Sequence, residues 1–301
     1  MAEHQRIAPP VRRIEFRAAD SVRLVADERG ESAAPVVLLL HGGGQTRHAW
    51  GATAVVLAAR GWRTIAMDLR GHGDSDWPAS GGYEITDFAG DVIAVVEQLP
   101  MAPFVVGASL GGLAALTAQG LVDGQLYAGV VLVDVTPRLE PVGVERIVGF
   151  MAAHPEGFAS LDDAARAIAD YLPHRRRTAS VSGLERTLRE CDDGRWRWRW
   201  DVRFLTDKHD IVGGDPTALR DRTERLRRDL TDAARRLRVP TLLIRGALSD
   251  LVSHEGAREL LEAVPHARHV DVADAAHMVA GDQNDLFTAA VVDFLDQERR
   301  S

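Results

Sequence analysis

Ser109 stands in Gly107-Ala-Ser109-Leu-Gly111, between the apolar run Phe104-Val-Val106 and the helix-forming Leu113-Ala-Ala-Leu116. A serine hydroxyl is a weak nucleophile until a base in hydrogen-bond reach takes its proton and a carboxylate orients that base. A strand-to-helix turn this tight forces strained backbone angles on the serine. Small neighbours prevent collisions there, and Gly107 and Gly111 supply them. The hydroxyl is then held out above a sheet, at a helix N-terminus, where it can do acyl transfer.

Eleven histidines compete for the role of base. His277, in Ala275-Ala-His277-Met-Val-Ala-Gly281, follows the last strand-like run and lies on the same rim as Ser109. His269 falls inside that run, His266 falls before it, and His254 opens a helix. For the acid there are two positions. Asp250 follows strand Thr241–Arg245 in Arg245-Gly-Ala-Leu-Ser-Asp250, and Asp134 ends strand Ala128–Val133. Both are on the right rim. Asp250 is favoured, because its turn carries it beyond the sheet with no helix to cap, and Asp134 is the alternative. Acyl transfer also needs donors for the developing oxyanion. The backbone amides of Gly43, in His41-Gly-Gly-Gly44, and of Leu110 are expected to supply them.

These residues need a frame. Val11–Phe16 and Val22–Ala26 read as a hairpin around Ala19-Asp20-Ser21. Pro35–Leu40, Trp62–Met67, Phe104–Gly107 and Ala128–Val133 are short apolar runs of the kind buried on both faces of a parallel sheet. Helical patterns alternate with them at Arg47–Arg60, 84–99 and Leu110–Leu121. The alternation stops near Thr136. It resumes with strand Thr241–Arg245, helix His254–Val264, strand Arg268–Val272 and helix Asp285–Gln297. The expected fold is α/β, a mostly parallel doubly wound sheet with an inserted, mainly helical cap. The core is 1–135 and 239–301, and the cap is 136–238.

Composition excludes several classes. At 301 residues, 46% hydrophobic and 27% charged, the chain is globular rather than disordered. No apolar run reaches the length of a membrane span, and the N-terminus has no secretory h-region, so a cytoplasmic location is expected. Cys191 is the single cysteine, which excludes an internal disulfide and a multi-cysteine metal site. The net charge is −8, yet residues 138–238 carry 21 of the 36 Lys/Arg and 18 of the 44 Asp/Glu. The acidic balance therefore belongs to the core, and the insertion is slightly basic, a balance that favours neutral or anionic substrates over cationic ones. A nucleic-acid partner is not expected, despite Arg175–Arg177, because acids are interspersed among these arginines.

The motifs together resemble the α/β-hydrolase superfamily. They are HGGG at 41–44, DLRGHGDSD at 68–76, GASLG at 107–111, RGALSD at 245–250 and AAHMVAGDQND at 275–285. The resemblance covers about residues 12–297 and is similar in style to small bacterial esterases and cofactor-free haloperoxidases. It implies Ser109 as nucleophile, Asp250 as acid, His277 as base, a structural His41, a cap in the insertion, and no cofactor or metal. The elbow aspartate of epoxide hydrolases and haloalkane dehalogenases is absent, since this position is Ser109. The implied activity is hydrolysis of a small-molecule carboxylic ester or lactone. The alternatives are a perhydrolase or haloperoxidase, a C–C bond hydrolase, and a non-catalytic small-molecule receptor.

Arg195-Trp-Arg-Trp-Arg-Trp200 is the most unusual segment of the insertion. Alternation at period two puts the indoles on one face of an extended strand. Trp196, Trp198 and Trp200 then either line an apolar substrate pocket or pack the cap onto its neighbours.

Overall fold

A computed structural model describes residues 10–171, 181–206, 216–273, 275–277 and 284–300. The Arg175–Arg177 run and positions 278–283 of the last motif lie outside the described residues. The chain opens with an antiparallel hairpin, β1 (Arg12–Arg17) and β2 (Arg23–Arg29). Then follow β3 (Val36–Leu40), a 3-10 turn at Arg47–Trp50, α1 (Gly51–Ala59), β4 (Arg63–Met67), α2 (Ile85–Glu97), β5 (Phe104–Ala108), α3 (Leu110–Leu121) and β6 (Gly129–Val133). The long intervening segment holds α4 (Pro141–Ala152), α5 (Leu161–Tyr171), α6 (Val181–Leu184), β7 (Leu188–Glu190), β8 (Trp196–Trp198), α7 (Arg203–Thr206) and α8 (Pro216–Arg235). The chain ends with β9 (Thr241–Gly246), α9 (His254–Ala263), β10 (Arg268–Val272), a 3-10 turn at Asn284–Phe287 and α10 (Thr288–Glu298).

The main sheet has eight strands in the order β1-β2-β4-β3-β5-β6-β9-β10. β2 pairs antiparallel with β1 and β4, and every later pairing is parallel. The wholly apolar runs occupy its centre: every residue of β3, β6 and β9 is buried. Alternation along the strands sends side chains to opposite faces. Leu38, Leu40, Val105, Leu132 and Leu243 share one core cluster with Phe88 and Val92 of α2 and Leu116 of α3. Val37, Leu39, Val106, Val131 and Ile244 share the other with Leu57 of α1 and Val291 and Leu295 of α10. Helices therefore cover both faces, which is why these strands read as continuous apolar runs rather than alternating ones.

Buried charge and imidazole hold the loop that follows β4. Asp68 is fully buried and accepts the Arg47 backbone N–H at 2.6 Å, the Arg47 guanidinium, and the Asp74 N–H at 2.9 Å. Arg70 grips Asp91 of α2 with two bonds of 2.7 and 2.6 Å. His41, at the end of β3, accepts the Leu69 N–H on Nε2 at 3.0 Å. Its Nδ1 lies 2.8 Å from the Gly42 carbonyl, so Nδ1 carries the proton and the ring is neutral. His72 repeats the pattern, with Nδ1 2.9 Å from the Arg70 carbonyl and Nε2 accepting the Gly44 N–H at 3.1 Å.

The intervening segment is stitched to this loop. The Gly73 N–H donates to the Arg199 carbonyl (2.6 Å), the Asp201 N–H to the Gly71 carbonyl (2.8 Å), and the Tyr83 hydroxyl to Asp201 (2.6 Å). The expected alternation of tryptophan and arginine is seen: Trp198 and Trp200 are buried, and Arg197 and Arg199 face acids or carbonyls. β7 and β8 form a two-stranded hairpin within a segment that is otherwise helical. The last helix, α8, serves two layers. Its C-terminal half buries Leu230 and Ala234 in the core cluster that includes α3, and a Cβ on Gly120 of α3 would lie 2.9 Å from that of buried Ala233.

Burial pushes the pKa of His41 down to about 4. The unfolded chain binds this proton near pH 6.5 and the folded chain does not, so stability falls as pH drops through that window. The His41 contribution to the loss is roughly 3 kcal/mol between pH 7 and pH 4. Urea unfolding at a series of pH values should give a shallower acid decline for His41→Gln than for the wild type. Equal slopes would contradict the neutral, buried ring.

Candidate active site

Ser109 is the single residue between β5 and α3. Its φ of 45° and ψ of −114° lie outside the ordinary regions for a residue with a Cβ, a strain of about 1–3 kcal/mol. Neighbouring backbone holds the turn. The Ser109 N–H donates to the Val133 carbonyl of β6, and the Gly111 N–H donates to His41, each at 3.1 Å. Two glycines make the packing possible: a Cβ on Gly107 would lie 2.6 Å from Gly112 Cα, and one on Gly111 2.6 Å from the Leu40 carbonyl oxygen. The Ser109 side chain does not cap α3, so its hydroxyl is not committed to the helix.

The carboxylate that meets His277 is Asp134, and the expectation that Asp250 fills this place is corrected. Asp134 Oδ2 lies 2.6 Å from His277 Nδ1, and both side chains are buried. Asp134 leaves β6 at φ 49°, which turns its side chain back along the rim. Its oxygens also accept the Gly246 N–H (3.0 Å) and the Ser249 hydroxyl (2.8 Å). Asp250 instead bonds Arg146 of α4 at 2.7 Å, in a half-exposed ion pair. The Arg245–Asp250 motif thus serves the site through Ser249, whose oxygen also accepts the Leu251 and Val252 amides at 3.2 and 3.1 Å. β6 is the immediate neighbour of β5, whereas β9 is one strand further out, so a residue leaving β6 reaches the neighbourhood of Ser109 more directly.

The Gly43 and Leu110 amides have no acceptor among the described residues, and both residues line the cavity that contains Ser109. The loop carrying Gly43 is shaped from both sides, by His72 on Gly44 and by Gln45 Oε1, which accepts the Gly42 N–H at 2.9 Å. Gln45 in turn donates to Asn284 Oδ1 at 3.3 Å. Gln45, Asn284 and Ser249 were not legible as site residues, because amides and hydroxyls in loops carry no spacing signal.

Two cavities meet at Ser109 and His277. The larger, about 490 Å³, is lined by Tyr83 and Phe88, by Leu110 and Leu113 of α3, by Phe204 and Leu205, and by both α4 and α8. Val144, Ile147, Val148 and Met151 face it from α4 at spacings of three and four, one apolar stripe of the helix. Glu84, Glu145, Arg222, Arg225 and Asp229 add charge to its wall, and Arg222 pairs with Glu84 at 2.9 Å. Burial and the hydrogen bond to Asp201 hold the Tyr83 phenol well above its ordinary pKa. None of Trp196, Trp198 and Trp200 lines this cavity, so the pocket reading of these residues is replaced by packing. Trp198 meets Phe158 edge-on at 5.4 Å and Phe150 at 6.2 Å, and Trp200 bridges to His72. The smaller cavity, about 10 Å³, is bounded by Gln45, Asp134, Asn284 and Phe287 besides the two shared residues. Among the described residues no group of three His, Cys, Asp or Glu side chains is placed to hold a metal ion, and no helix is long and apolar enough to cross a membrane.

The fold has known relatives. Over 285 residues the chain is 32% identical to an esterase of Mycobacterium tuberculosis, Rv0045c, covering 91% of this chain and 85% of the esterase. It is 27% identical over 281 residues to the 2-(acetamidomethylene)succinate hydrolase of Mesorhizobium japonicum, covering 93% and 95% of the two chains. The crystal structure of an alpha/beta hydrolase from Novosphingobium aromaticivorans superposes with a TM-score of 0.76 at 25% identity, over 95% of this chain and 98% of that one. The family described as alpha/beta hydrolase fold matches residues 35–282, which span the sheet from β3 onward, the strained serine turn and the His277 loop. The chain belongs to the α/β-hydrolase family.

Proposed function

We propose that this protein is a serine hydrolase that cleaves a small-molecule carboxylic ester through an acyl-enzyme on Ser109. His277 acts as base and Asp134 as the carboxylate that orients it. The observation that carries the reading is the buried 2.6 Å bond between His277 Nδ1 and Asp134, on a rim shared with the strained serine. The 32% identical esterase supports the choice of an ester bond.

In the first half-reaction Ser109 Oγ attacks the carbonyl carbon and His277 Nε2 takes its proton. Asp134 fixes the proton on Nδ1 and stabilises the imidazolium. The oxyanion accepts from the Gly43 and Leu110 amides, which are already oriented and need no reorganisation. His277 then returns the proton to the leaving alkoxide. In the second half-reaction water attacks the acyl carbon, His277 takes its proton, the Ser109–carbonyl bond breaks, and the proton passes to Ser109. The segment 136–238 acts as a cap, because α4 and α8 both contribute walls to the 490 Å³ cavity. A space of that size suits a small organic ligand, and its apolar stripe on α4 favours a bulky apolar acyl or alkyl group.

A second reading keeps the dyad and changes the bond. The 27% identical 2-(acetamidomethylene)succinate hydrolase favours it, with Arg222 or Arg225 on the cavity wall as a cation for a substrate carboxylate. Parallel assays on p-nitrophenyl esters of graded chain length and on carboxylate-bearing amides separate the two. Turnover confined to the second set would replace the ester reading.

A fluorophosphonate probe should label the wild type and fail on Ser109→Ala; labelling that persists in the variant would sink the nucleophile. Asp134→Asn should lower kcat about 10³–10⁴-fold, while Asp250→Asn stays within about threefold because it touches only the Arg146 pair. The reverse ranking would restore Asp250 as the acid. Val148→Trp should lower kcat/KM about tenfold or more on octanoate esters and little on acetate esters. A uniform loss on both would argue that α4 does not face the acyl chain.

A further inference from the structure

Phe204 of α7 is the point where the intervening segment meets the glycine loop, and it is buried. A Cβ built on Gly43 would lie 3.6 Å from Cε1 and Cζ of the Phe204 ring and 3.9 Å from Cδ2 of Leu110. The ring edge therefore rests on Gly43, beside one of the two amides assigned to the oxyanion. Gly43, Ser109, Leu110 and Phe204 all line the cavity of about 490 Å³. Three other rings hold Phe204 in place. His72, Phe88 and Tyr83 meet it at centroid distances of 5.3, 5.9 and 6.1 Å and interplanar angles of 71°, 85° and 90°. Edge-on contacts of this kind are favourable for aromatic pairs. The backbone is tied as well. The Phe204 N–H donates to the Asp201 carbonyl at 2.9 Å, and the Asp201 N–H to the Gly71 carbonyl at 2.8 Å. Swinging the ring off Gly43 would break these ring contacts, so Phe204 is a fixed wall of the cavity.

Strand order decides which part of a substrate meets this wall. β5, which delivers Ser109, lies between β3 and β6. Gly43 follows β3, whereas His277 bonds Asp134 at the end of β6. Ser109 is therefore flanked by Gly43 on one side and by His277 on the other. A tetrahedral carbon on Ser109 Oγ carries an oxyanion, a leaving oxygen and an acyl carbon. The oxyanion goes to the Gly43 and Leu110 amides, and the leaving oxygen must lie within reach of His277, which protonates it. The acyl carbon takes the direction away from His277, on the flank that Phe204 covers.

We propose that Phe204 is a specificity-determining residue for the acyl side of the substrate, and that its ring, seated on Gly43, excludes branching at the carbon next to the reacting carbonyl. The substrate class is then esters of acids that are unbranched at that carbon. Chain length is read further out, along the apolar stripe of α4, and bulk at the first carbon is read at Phe204. The inference rests on the serine-hydrolase reading above and deepens it.

Ratios of kcat/KM taken on one preparation cancel any loss of folded enzyme, so they test this role apart from stability. The ratio of p-nitrophenyl 2-methylpropanoate to p-nitrophenyl butyrate, two isomers with the same leaving group, should rise about tenfold in Phe204→Ala, with Phe204→Leu in between. The ratio of isopropyl butyrate to propyl butyrate, which moves the branch to the alcohol, should stay within about threefold. An acyl ratio unchanged in both variants would reduce Phe204 to a packing residue. A rise confined to the alcohol ratio would put the ring beside the leaving group, and either result overturns the assignment. The same esters given to Ser109→Ala keep the two levels apart. Turnover that survives there overturns the proposed function and the inference with it, whereas Ser109-dependent turnover with unchanged ratios overturns the role of Phe204 alone.

Discussion

Adjacent strands β5 and β6 each end on a residue with a side chain held at positive φ: Ser109 at 45° and Asp134 at 49°. Ordinary L-residues avoid this region, and the cost is about 1–3 kcal/mol at each position. Both conformations persist because the sheet leaves no alternative. The Ser109 N–H is taken by Val133 of β6, and the Asp134 N–H by Ile244 of β9 at 2.7 Å. Each strand thus holds the strained exit of its neighbour. The site depends on this coupling, since it points a serine hydroxyl and a carboxylate along the same rim from consecutive parallel strands.

The rest of the site is arranged by groups that do not line the large cavity. Neutral His41 and His72 each spend one ring nitrogen on a carbonyl and the other on a backbone amide. They set the relative position of the glycine loop and the loop after β4. Asp68 and Asp91 hold that second loop through Arg47 and Arg70. Buried ion pairs of this kind add little net stability, because desolvation offsets most of the attraction. What they fix is geometry, and burial does push the Asp91 carboxyl up to about 6 even against Arg70. The histidines of the HGGG and RGHGD motifs are thus legible in physical terms as amide acceptors that a charged side chain could not replace.

The buried strands of a mostly parallel sheet and the strained serine turn were legible in the sequence because both depend on local chemistry. Apolar runs buried on two faces announce themselves, and a serine flanked by glycines between a strand and a helix leaves few alternatives. Which carboxylate meets His277 was not legible, since Asp134 and Asp250 both follow strands and both end on the same rim. What separates them is a single backbone torsion at Asp134 and an arginine at position 146, more than a hundred residues before Asp250, that draws its carboxylate outward. The tryptophans left two readings open in a similar way. Period two foretold that their indoles would share a face, but only the fold decides what meets that face, and here it is Phe150 and Phe158 rather than the cavity.

The segment between β6 and β9 has its own constraint. Its walls must approach Ser109 without being welded to the chemistry, and the contacts divide accordingly. Its start is tied by the Glu140 N–H on the Leu251 carbonyl at 2.9 Å, and its middle by backbone bonds to the loop after β4, through Arg199 and Asp201. The other end runs into the core along the buried half of α8. Half-exposed ion pairs also link α4 and α8 to the core, Arg146 with Asp250 and Arg222 with Glu84. Exposed pairs contribute little and exchange readily with water. The large cavity is therefore bounded by the rim of the sheet on one side and by α4 and α8 on the other. Side chains on α4 and α8 can then vary in size without disturbing the strained turns that make Ser109 and Asp134 a site.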